Sequence, residues 1–270
     1  VLRVDRDQLR PERQFAQVGA EIIGGDRLEG DVEILVMCVE ALAAAGVRGV
    51  TVDLSAPTLV DAALAPFTFD AALSGRIRDA LDHKDAAAAA RAAGPAAALV
   101  EALIRANGPL DRAAAALEAI DLATGAAEER DQLVALGRAL RAAAPDLPIT
   151  IDPAERNGFH YHAGPSFSLF AQGVRGELGR GGRYRVGAAG EEAAIGATLY
   201  IDTVSRAAPR SAPSAAVYLP HGAPADAAAA LRAEGRVTIA GLAPEPGDPA
   251  DEAQRLGCAA LWTPKGVAPV

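Results

Sequence analysis

The sequence has very few cysteines, and this excludes two classes of protein. Its 270 residues include only Cys38 and Cys258, which lie far apart and lack the spacing of zinc ligands. A disulfide-rich secreted scaffold and a zinc finger are therefore excluded, and we expect a reducing, cytoplasmic environment. No secretory signal opens the sequence, and no apolar run approaches the roughly 20 residues needed to cross a bilayer, so we expect no membrane partner.

Positive charge is also scarce. The sequence has 26 Lys and Arg residues against 35 Asp and Glu residues, which gives a net charge of −9 with neutral histidines. A generic basic nucleic-acid binder or a polybasic membrane binder is therefore disfavoured. The hydrophobic share of 50% and the charged share of 23% are those of a globular protein, and they exclude wholesale disorder.

Periodicity in the first half of the sequence predicts strands around one helix and then a helical region. Residues 15–24 alternate in polarity and end in two glycines, which predicts a strand and a turn. Asp31 resembles a helix N-cap, apolar residues follow it at helical spacing, and Gly46 predicts the end of that helix. Alternation at 50–54 predicts a second strand. The alanine-rich stretch from about 66 to 145 predicts three to five helices, with breaks at Gly94-Pro95, Gly108-Pro109 and Gly125.

The second half predicts antiparallel strands followed by a small separate domain. Three apolar segments predict strands: 149–151, 159–170 and 193–204. They should pair antiparallel, because no helix separates them. Residues 206–213 are rich in Pro, Ser and Arg and predict a linker, after which a β-α-β-α-β pattern fills 214–270. We therefore expect a core domain at 1–205, with its helical region at about 66–145, and a small α/β domain at 214–270.

Two motifs could suggest a phosphate or a metal site, and both have simpler interpretations. The glycines at 179–182 lack the strand, helix and spacing of a dinucleotide-binding loop, so close approach of the backbone explains them better. His160 and His162 share one face of a predicted strand and could bind a metal. No third ligand lies near in sequence, however, and zinc requires at least three protein ligands. We therefore expect hydrogen-bonded histidines, no metal and no cofactor.

Gln17 and Glu21 are four residues apart in a predicted strand, which places them on the same face. A carboxylate beside an amide suits an ammonium or imidazole ligand, because Glu supplies the charge and Gln orients the ligand. A solvated polar face is the simpler interpretation of such a pair. No G-x-S-x-G elbow supports Ser-His-Asp catalysis.

Four segments together resemble the class II aminoacyl-tRNA synthetases in their histidyl version. Residues 2–21 resemble motif 2, 157–167 the histidine-specific strand, 176–184 the glycine-rich loop, and 194–204 lie where motif 3 is expected. The segments occur in the family's order, and the match extends from residue 1 to about 205. The resemblance implies an α+β fold: a class II synthetase-like antiparallel sheet flanked by helices, with a helical insertion and a small C-terminal α/β appendage.

The resemblance also implies a site for histidine and a weakened site for ATP. Gln17, Glu21 and Tyr161 match positions that hold histidine in the synthetases. Thr203 and Asn157 stand where the synthetases carry arginines that bind ATP or assist amino-acid activation, which predicts weaker nucleotide binding. The implied histidine-binding set is Gln17, Glu21, Tyr161, His162, Gly179, Gly181 and Gly182, and the vestigial nucleotide set is Arg3, Arg13, Asn157 and Thr203.

With these departures, the sequence resembles a non-catalytic branch of the family, the regulatory subunits of ATP phosphoribosyltransferase. That resemblance implies a role in the first step of histidine biosynthesis, through activation of a short catalytic subunit and feedback inhibition with histidine as effector. It also implies a self-dimer within a hetero-octamer, no tRNA partner and no catalytic residue. We expect a segment carrying motif 1 to precede Val1 and to build the dimer interface.

Two other functions stay open at this point. A divergent histidyl-tRNA synthetase is the enzymatic alternative, and Asn157 and Thr203 argue against it. The third possibility is a plain interaction module that binds no small ligand. Thermal stabilisation by histidine would separate it from the regulatory function, because a ligand selective for the native state stabilises by mass action.

Overall fold

The chain folds into two compact units, Val1–Pro209 and Arg210–Val270. The computed structural model describes residues 15–25, 27–83, 85–155, 162–187, 190–209, 216–244 and 247–270. The division between the units lies inside the segment predicted as a linker, 206–213, although a helix of the first unit continues to Ala207.

The first unit is built on a seven-stranded sheet with the order β1-β7-β6-β5-β2-β4-β3. The strands are β1 (Gln17–Ile23), β2 (Val50–Ser55), β3 (Gly108–Pro109), β4 (Ile149–Ile151), β5 (His162–Ala171), β6 (Gly179–Val186) and β7 (Glu192–Tyr200). Neighbours pair antiparallel, as predicted, except β2 and β4, which are parallel. The exception has a simple cause, because the whole helical region connects those two strands and supplies the long crossover that a parallel pair requires.

Helices flank this sheet and form the helical region. They are α1 (Leu28–Ala44), α2 (Leu59–Leu64), α3 (Ala71–Asp82), α4 (Ala86–Ala93), α5 (Ala97–Arg105), α6 (Leu110–Glu118), α7 (Thr124–Ala143) and α8 (Ile201–Ala207). Gly94 and Pro95 do break the chain, in a 3-10 turn at Gly94–Ala96. Gly125 does not, because it is the second residue of α7. Five of the described helices therefore fall between 66 and 145, which is the upper end of the predicted number.

The core lies on one face of the sheet, under α1 and α7. Leu54 and Phe167 point to this face and are 0% and 2% exposed. Gly30 of α1 lies against Ile195, and Gly137 of α7 lies against Leu54. Each fully buried side chain of this size contributes about 1.5–3 kcal/mol to stability. Alternation along each strand leaves the other face free for polar residues, and that face carries the candidate site.

Asp31 is not the N-cap that the sequence predicted. The helix α1 begins at Leu28, and Arg27 occupies the cap position without a side-chain hydrogen bond. Asp31 is instead 2% exposed, and its carboxylate oxygens accept hydrogen bonds from Nε of Arg183 on β6 at 2.9 and 3.0 Å. Asp31 thus lies one turn inside α1, where it is the counter-ion of the partly buried Arg183.

One stretch of the helical region has the length and composition of a membrane span, which the sequence analysis did not anticipate. Residues Ala86–Arg105 have a mean hydropathy of 1.4. The turn at Gly94–Ala96 divides this stretch into α4 and α5. Ala89, Ala93 and Val100 are buried in the hydrophobic core, so packing within the first unit accounts for these apolar positions.

The second unit has the predicted β-α-β-α-β order and one additional strand. Its elements are β8 (Val217–Leu219), α9 (Ala225–Ala233), β9 (Thr238–Ala240), α10 (Pro249–Arg255), β10 (Ala260–Thr263) and β11 (Gly266–Pro269). The sheet order is β11-β10-β8-β9, with β8 parallel to both β9 and β10. Tyr218 and Ala253 are 1% and 0% exposed at the centre of one small core.

Candidate functional site

Strand register brings polar and small residues into one row across the polar face of the large sheet. Glu21 on β1 is opposite Gly196, and Gly196 is opposite Gly182 on β6. Gly182 is opposite Ser166 on β5, which is opposite Ser55 on β2. Residues directly opposite each other in antiparallel strands share a face. These five residues, the polar row, therefore line the floor of one site across five strands.

The centre of the polar row is flat because two of its members are glycines. A Cβ added at Gly182 would lie 2.8 Å from Cβ of Ser166, and a Cβ added at Gly196 would lie 3.0 Å from Cγ of Glu21. Any side chain here would push the neighbouring strands apart or fill the floor. The two glycines thus make room above the sheet for the Glu21 side chain and for the ring of Tyr184, whose Cε1 would lie 3.4 Å from a Cβ at Gly196.

Glu21 and Gln17 lie on the same face of β1, with exposed side chains. Gln17 is opposite Tyr200 on β7. The ring of Tyr200 is 2% exposed and meets Phe15 edge-on, with ring centroids 5.8 Å apart at 80°. The Gln17 amide and the Glu21 carboxylate therefore project from a strand whose first residues are held by the packed rings of Phe15 and Tyr200. Their role as histidine ligands stays a prediction.

The serines at the far end of the row are fixed by hydrogen bonds. The hydroxyls of Ser55 and Ser166 are 2.8 Å apart, and both residues are buried. In the neighbouring row, the Thr150 hydroxyl donates to Oδ1 of Asp53 at 2.7 Å. A buried polar network of this kind holds the floor in one geometry before any ligand binds.

A buried ion pair lies beside the polar row. Arg180 of β6 and Glu177 are 5% and 0% exposed. Arg180 donates from Nε to Oε2 of Glu177 at 2.8 Å and also from Nη2, and the Ser168 hydroxyl donates to Oε1 at 3.1 Å. Glu177 compensates the charge of Arg180, so the pair brings no net positive charge to the site.

The segment that resembles a glycine-rich loop is a strand, β6, and its glycines face in different directions. A Cβ at Gly181 would lie 2.5 Å from Cζ of buried Phe167, and one at Gly179 would lie 2.6 Å from Cδ2 of Leu199. These two glycines therefore make room for core side chains on the apolar face. Of the three glycines in the predicted histidine-binding set, only Gly182 belongs to the polar row.

Thr203 lies in α8 and is 4% exposed. Its hydroxyl accepts a hydrogen bond from Nη2 of Arg206 at 3.1 Å, one turn further along the helix. The start of α8 is fixed to the residue before β1, because the backbone N–H of Ala16 donates to Oδ2 of Asp202 at 2.8 Å. Thr203, the predicted counterpart of the motif 3 arginine, is thus a buried, neutral residue whose hydroxyl is held by a helix neighbour.

Several predicted site residues lie outside the described part of the chain: Arg3, Arg13, Asn157, His160 and Tyr161. His162 begins β5, and the structure describes only its backbone. Among the described residues, no group of three His, Cys, Asp or Glu side chains could hold a metal ion.

The sequence analysis missed Ser55, Ser166, Ser168 and the Arg180–Glu177 pair. A signal for the serines was available, since residues 166–170 read Ser-Phe-Ser-Leu-Phe and alternate strictly in their first four positions. No such signal existed for the ion pair, because nothing local shows that Arg180 folds back onto Glu177 inside the protein.

Comparison with known proteins agrees with this fold. The sequence profile of the histidyl-tRNA synthetase family matches residues 1–204. A relative from Rhodospirillum centenum, named ATP phosphoribosyltransferase regulatory subunit, is 51% identical over 263 residues, covering 97% of this chain and 67% of the relative.

Two solved structures share the fold. One is an ATP phosphoribosyltransferase regulatory subunit/histidyl-tRNA synthetase from Bacillus halodurans, with a TM-score of 0.71 at 19% identity, covering 89% of this chain and 66% of that one. The other is the ATP phosphoribosyl transferase (HisG:HisZ) complex from Thermotoga maritima, with a TM-score of 0.56 at 18% identity, covering 69% and 66%. The chain thus spans about two thirds of the length of each.

The fold and the family match define a class II synthetase-like protein of the histidyl type, which confirms the predicted fold class. Within that class, the chain belongs to the family of ATP phosphoribosyltransferase regulatory subunits. The resemblance inferred from the four sequence motifs is therefore confirmed.

Proposed function

We propose that this chain is a non-catalytic, cytoplasmic subunit that regulates ATP phosphoribosyltransferase in histidine biosynthesis, with histidine bound at the polar row. The observation that carries the proposal is a contrast between the two halves of the predicted site. The amino-acid half keeps an exposed carboxylate at Glu21 above a flat glycine floor. The nucleotide half has a buried neutral hydroxyl at Thr203, where the synthetases carry a cation.

The polar row suits histidine in charge and in shape. The Glu21 carboxylate can accept hydrogen bonds from an α-ammonium or an imidazolium, and such charge-assisted bonds are about twice as strong as neutral ones. The amide of Gln17, on the same face, can orient the second polar group. Gly182 keeps the floor low at the centre of the row, beside the Tyr184 ring that lies over Gly196. The side chains of Tyr161 and His162 are predicted to complete the site.

The same face supports little nucleotide chemistry. Amino-acid activation needs cations placed on the phosphates of ATP, because negative charge develops there in the transition state. Thr203 supplies no charge, and Glu177 neutralises Arg180 within the buried pair. We therefore infer that aminoacylation has been lost.

Regulation requires that histidine distinguishes two states of an assembly. An effector changes a distant active site only through a difference in its affinity for the two states, and the coupling is reciprocal. The similarity to a protein in the HisG:HisZ complex supports a catalytic subunit as the partner. A self-dimer and a hetero-octamer remain part of this proposal.

Two measurements on the purified chain test the proposal. We expect calorimetry to show saturable histidine binding, which Glu21→Ala weakens about tenfold or more because one charge-assisted interaction is lost. Glu33→Ala is the matched control, since Glu33 is exposed on α1, which packs on the opposite face. We expect no histidine-dependent exchange of pyrophosphate into ATP. Equal histidine affinity in both variants, or clear exchange activity, would contradict the proposal.

A further inference from the structure

A small cavity lies in the helical region, between α2 and α3 and the segment that connects them. Its volume is about 170 Å³. The floor consists of hydrocarbon side chains: Val60, Leu64, Ile77 and Leu81. Ile77 and Leu81 are 1% and 3% exposed, so the inner end is fixed by the core. The outer wall is formed by the stacked rings of Phe67 and Phe69, whose centroids are 6.1 Å apart.

The size and lining of this cavity suit one ring or one branched aliphatic group. An engineered protein cavity of about 150 Å³ lined by Leu, Ile and Phe stays dry and binds benzene. Drug-sized ligands need about 300 Å³ or more, so a larger molecule does not fit. Burying one such apolar group removes its surface from water and favours binding.

Opposite charges flank the mouth of the cavity. Nε of Arg78 donates to Oδ1 of Asp61 at 3.3 Å, and the two side chains are 49% and 41% exposed. A half-exposed ion pair contributes little to stability, about 1 kcal/mol or less. The two side chains can therefore separate from each other and bind a ligand at small cost. A ligand with an ammonium and a carboxylate next to an apolar group would satisfy the carboxylate, the guanidinium and the floor together.

We propose that this cavity is a second amino-acid site, which binds a free amino acid with an aromatic or branched apolar side chain. The side chain enters between Phe69 and Ile77, Asp61 binds the α-ammonium, and Arg78 binds the α-carboxylate. Histidine is a poor ligand here. Besides the ion pair, Ser74 is the one described lining side chain that offers a hydrogen-bond group, so an imidazole would leave one of its two ring nitrogens unpaired inside the cavity, which is unfavourable. The site is thus distinct from the polar row in place and in specificity.

Calorimetry of the whole chain with phenylalanine and with leucine tests this proposal. We expect saturable binding that persists when histidine is present in excess. Arg78→Met should weaken phenylalanine binding about tenfold or more, because the carboxylate loses its charge-assisted partner. Arg76→Met is the matched control, since Arg76 is exposed on the same helix α3 and does not line the cavity.

Phenethylamine, which lacks the carboxylate, should bind the wild type and Arg78→Met equally. Thermal unfolding of both variants without ligand checks that each is folded. Three results would overturn the proposal: no saturable binding of either amino acid, equal loss of binding in the two arginine variants, or full displacement of phenylalanine by histidine. The first two concern only α2 and α3, so they leave the proposed histidine site at the polar row intact.

Discussion

The buried pair of Arg180 and Glu177 gives the sharpest stability prediction. Both residues are almost fully buried, and one carboxylate accepts hydrogen bonds from the guanidinium and from Ser168. Glu177→Gln removes the negative charge that Arg180 contacts, and the new amide presents N–H donors to Arg180 and Ser168, which themselves donate to the present carboxylate. Breaking such a pair costs about 3–5 kcal/mol. With a urea slope of about 3 kcal/mol per molar, we expect the midpoint to fall by roughly 1–2 M.

Urea unfolding followed by circular dichroism measures this shift, and two further variants interpret it. The double variant Glu177→Leu, Arg180→Met removes both charges and should recover most of the lost stability. Glu118→Gln breaks a chemically similar pair with Arg138, at 2.8 Å, that is exposed to water, and its midpoint should stay close to that of the wild type. A shift for Glu177→Gln no larger than that for Glu118→Gln would refute the argument, as would additive losses in the double variant.

Three other predictions follow from local geometry. Gly137→Ala should destabilise the first unit by about 1–3 kcal/mol in urea unfolding, because its Cβ would lie 2.4 Å from Cδ1 of Leu110; unchanged stability would contradict the tight helix approach. Gly182→Ala should weaken histidine binding in calorimetry while the chain stays folded. Burial raises the pKa of Cys38 to about 11 from 9.0. The contribution of the neutral Cys38 thiol to the free energy of unfolding is therefore fully present below pH 9 and is lost as the pH rises to about 11, by about 3 kcal/mol; a Cys38→Ala variant with the same pH dependence as the wild type would refute this.

The order of strands and helices could be predicted well where one face of an element is apolar. Residues 50–54 alternate strictly, and the predicted strand is β2, Val50–Ser55. The second unit followed its predicted β-α-β-α-β pattern because each element has a separate apolar signal. The last strand, β11, was missed, because its four residues Gly-Val-Ala-Pro have no periodicity and pair only through the turn that follows Thr263.

Long-range electrostatics could not be predicted from the sequence. Asp31 stands before a helical run and has the local pattern of an N-cap, yet it pairs with Arg183, which lies 152 residues away in the chain. The glycines at 179–182 were also ambiguous, since glycine-rich segments are more often loops than central strands. Only the register of β6 with β5 and β7 shows that Gly182 faces the site while Gly181 accommodates Phe167.

The central claim is that the amino-acid half of a synthetase-like face now serves as a sensor. The most direct measurement is histidine inhibition of ATP phosphoribosyltransferase activity in a complex reconstituted from this chain and a short catalytic subunit. We expect the wild-type chain to stimulate the catalytic subunit and to make it sensitive to histidine. Glu21→Ala should keep the stimulation and shift inhibition to histidine concentrations about tenfold higher or more. An unchanged inhibition curve with Glu21→Ala would show that histidine acts elsewhere and would contradict the account.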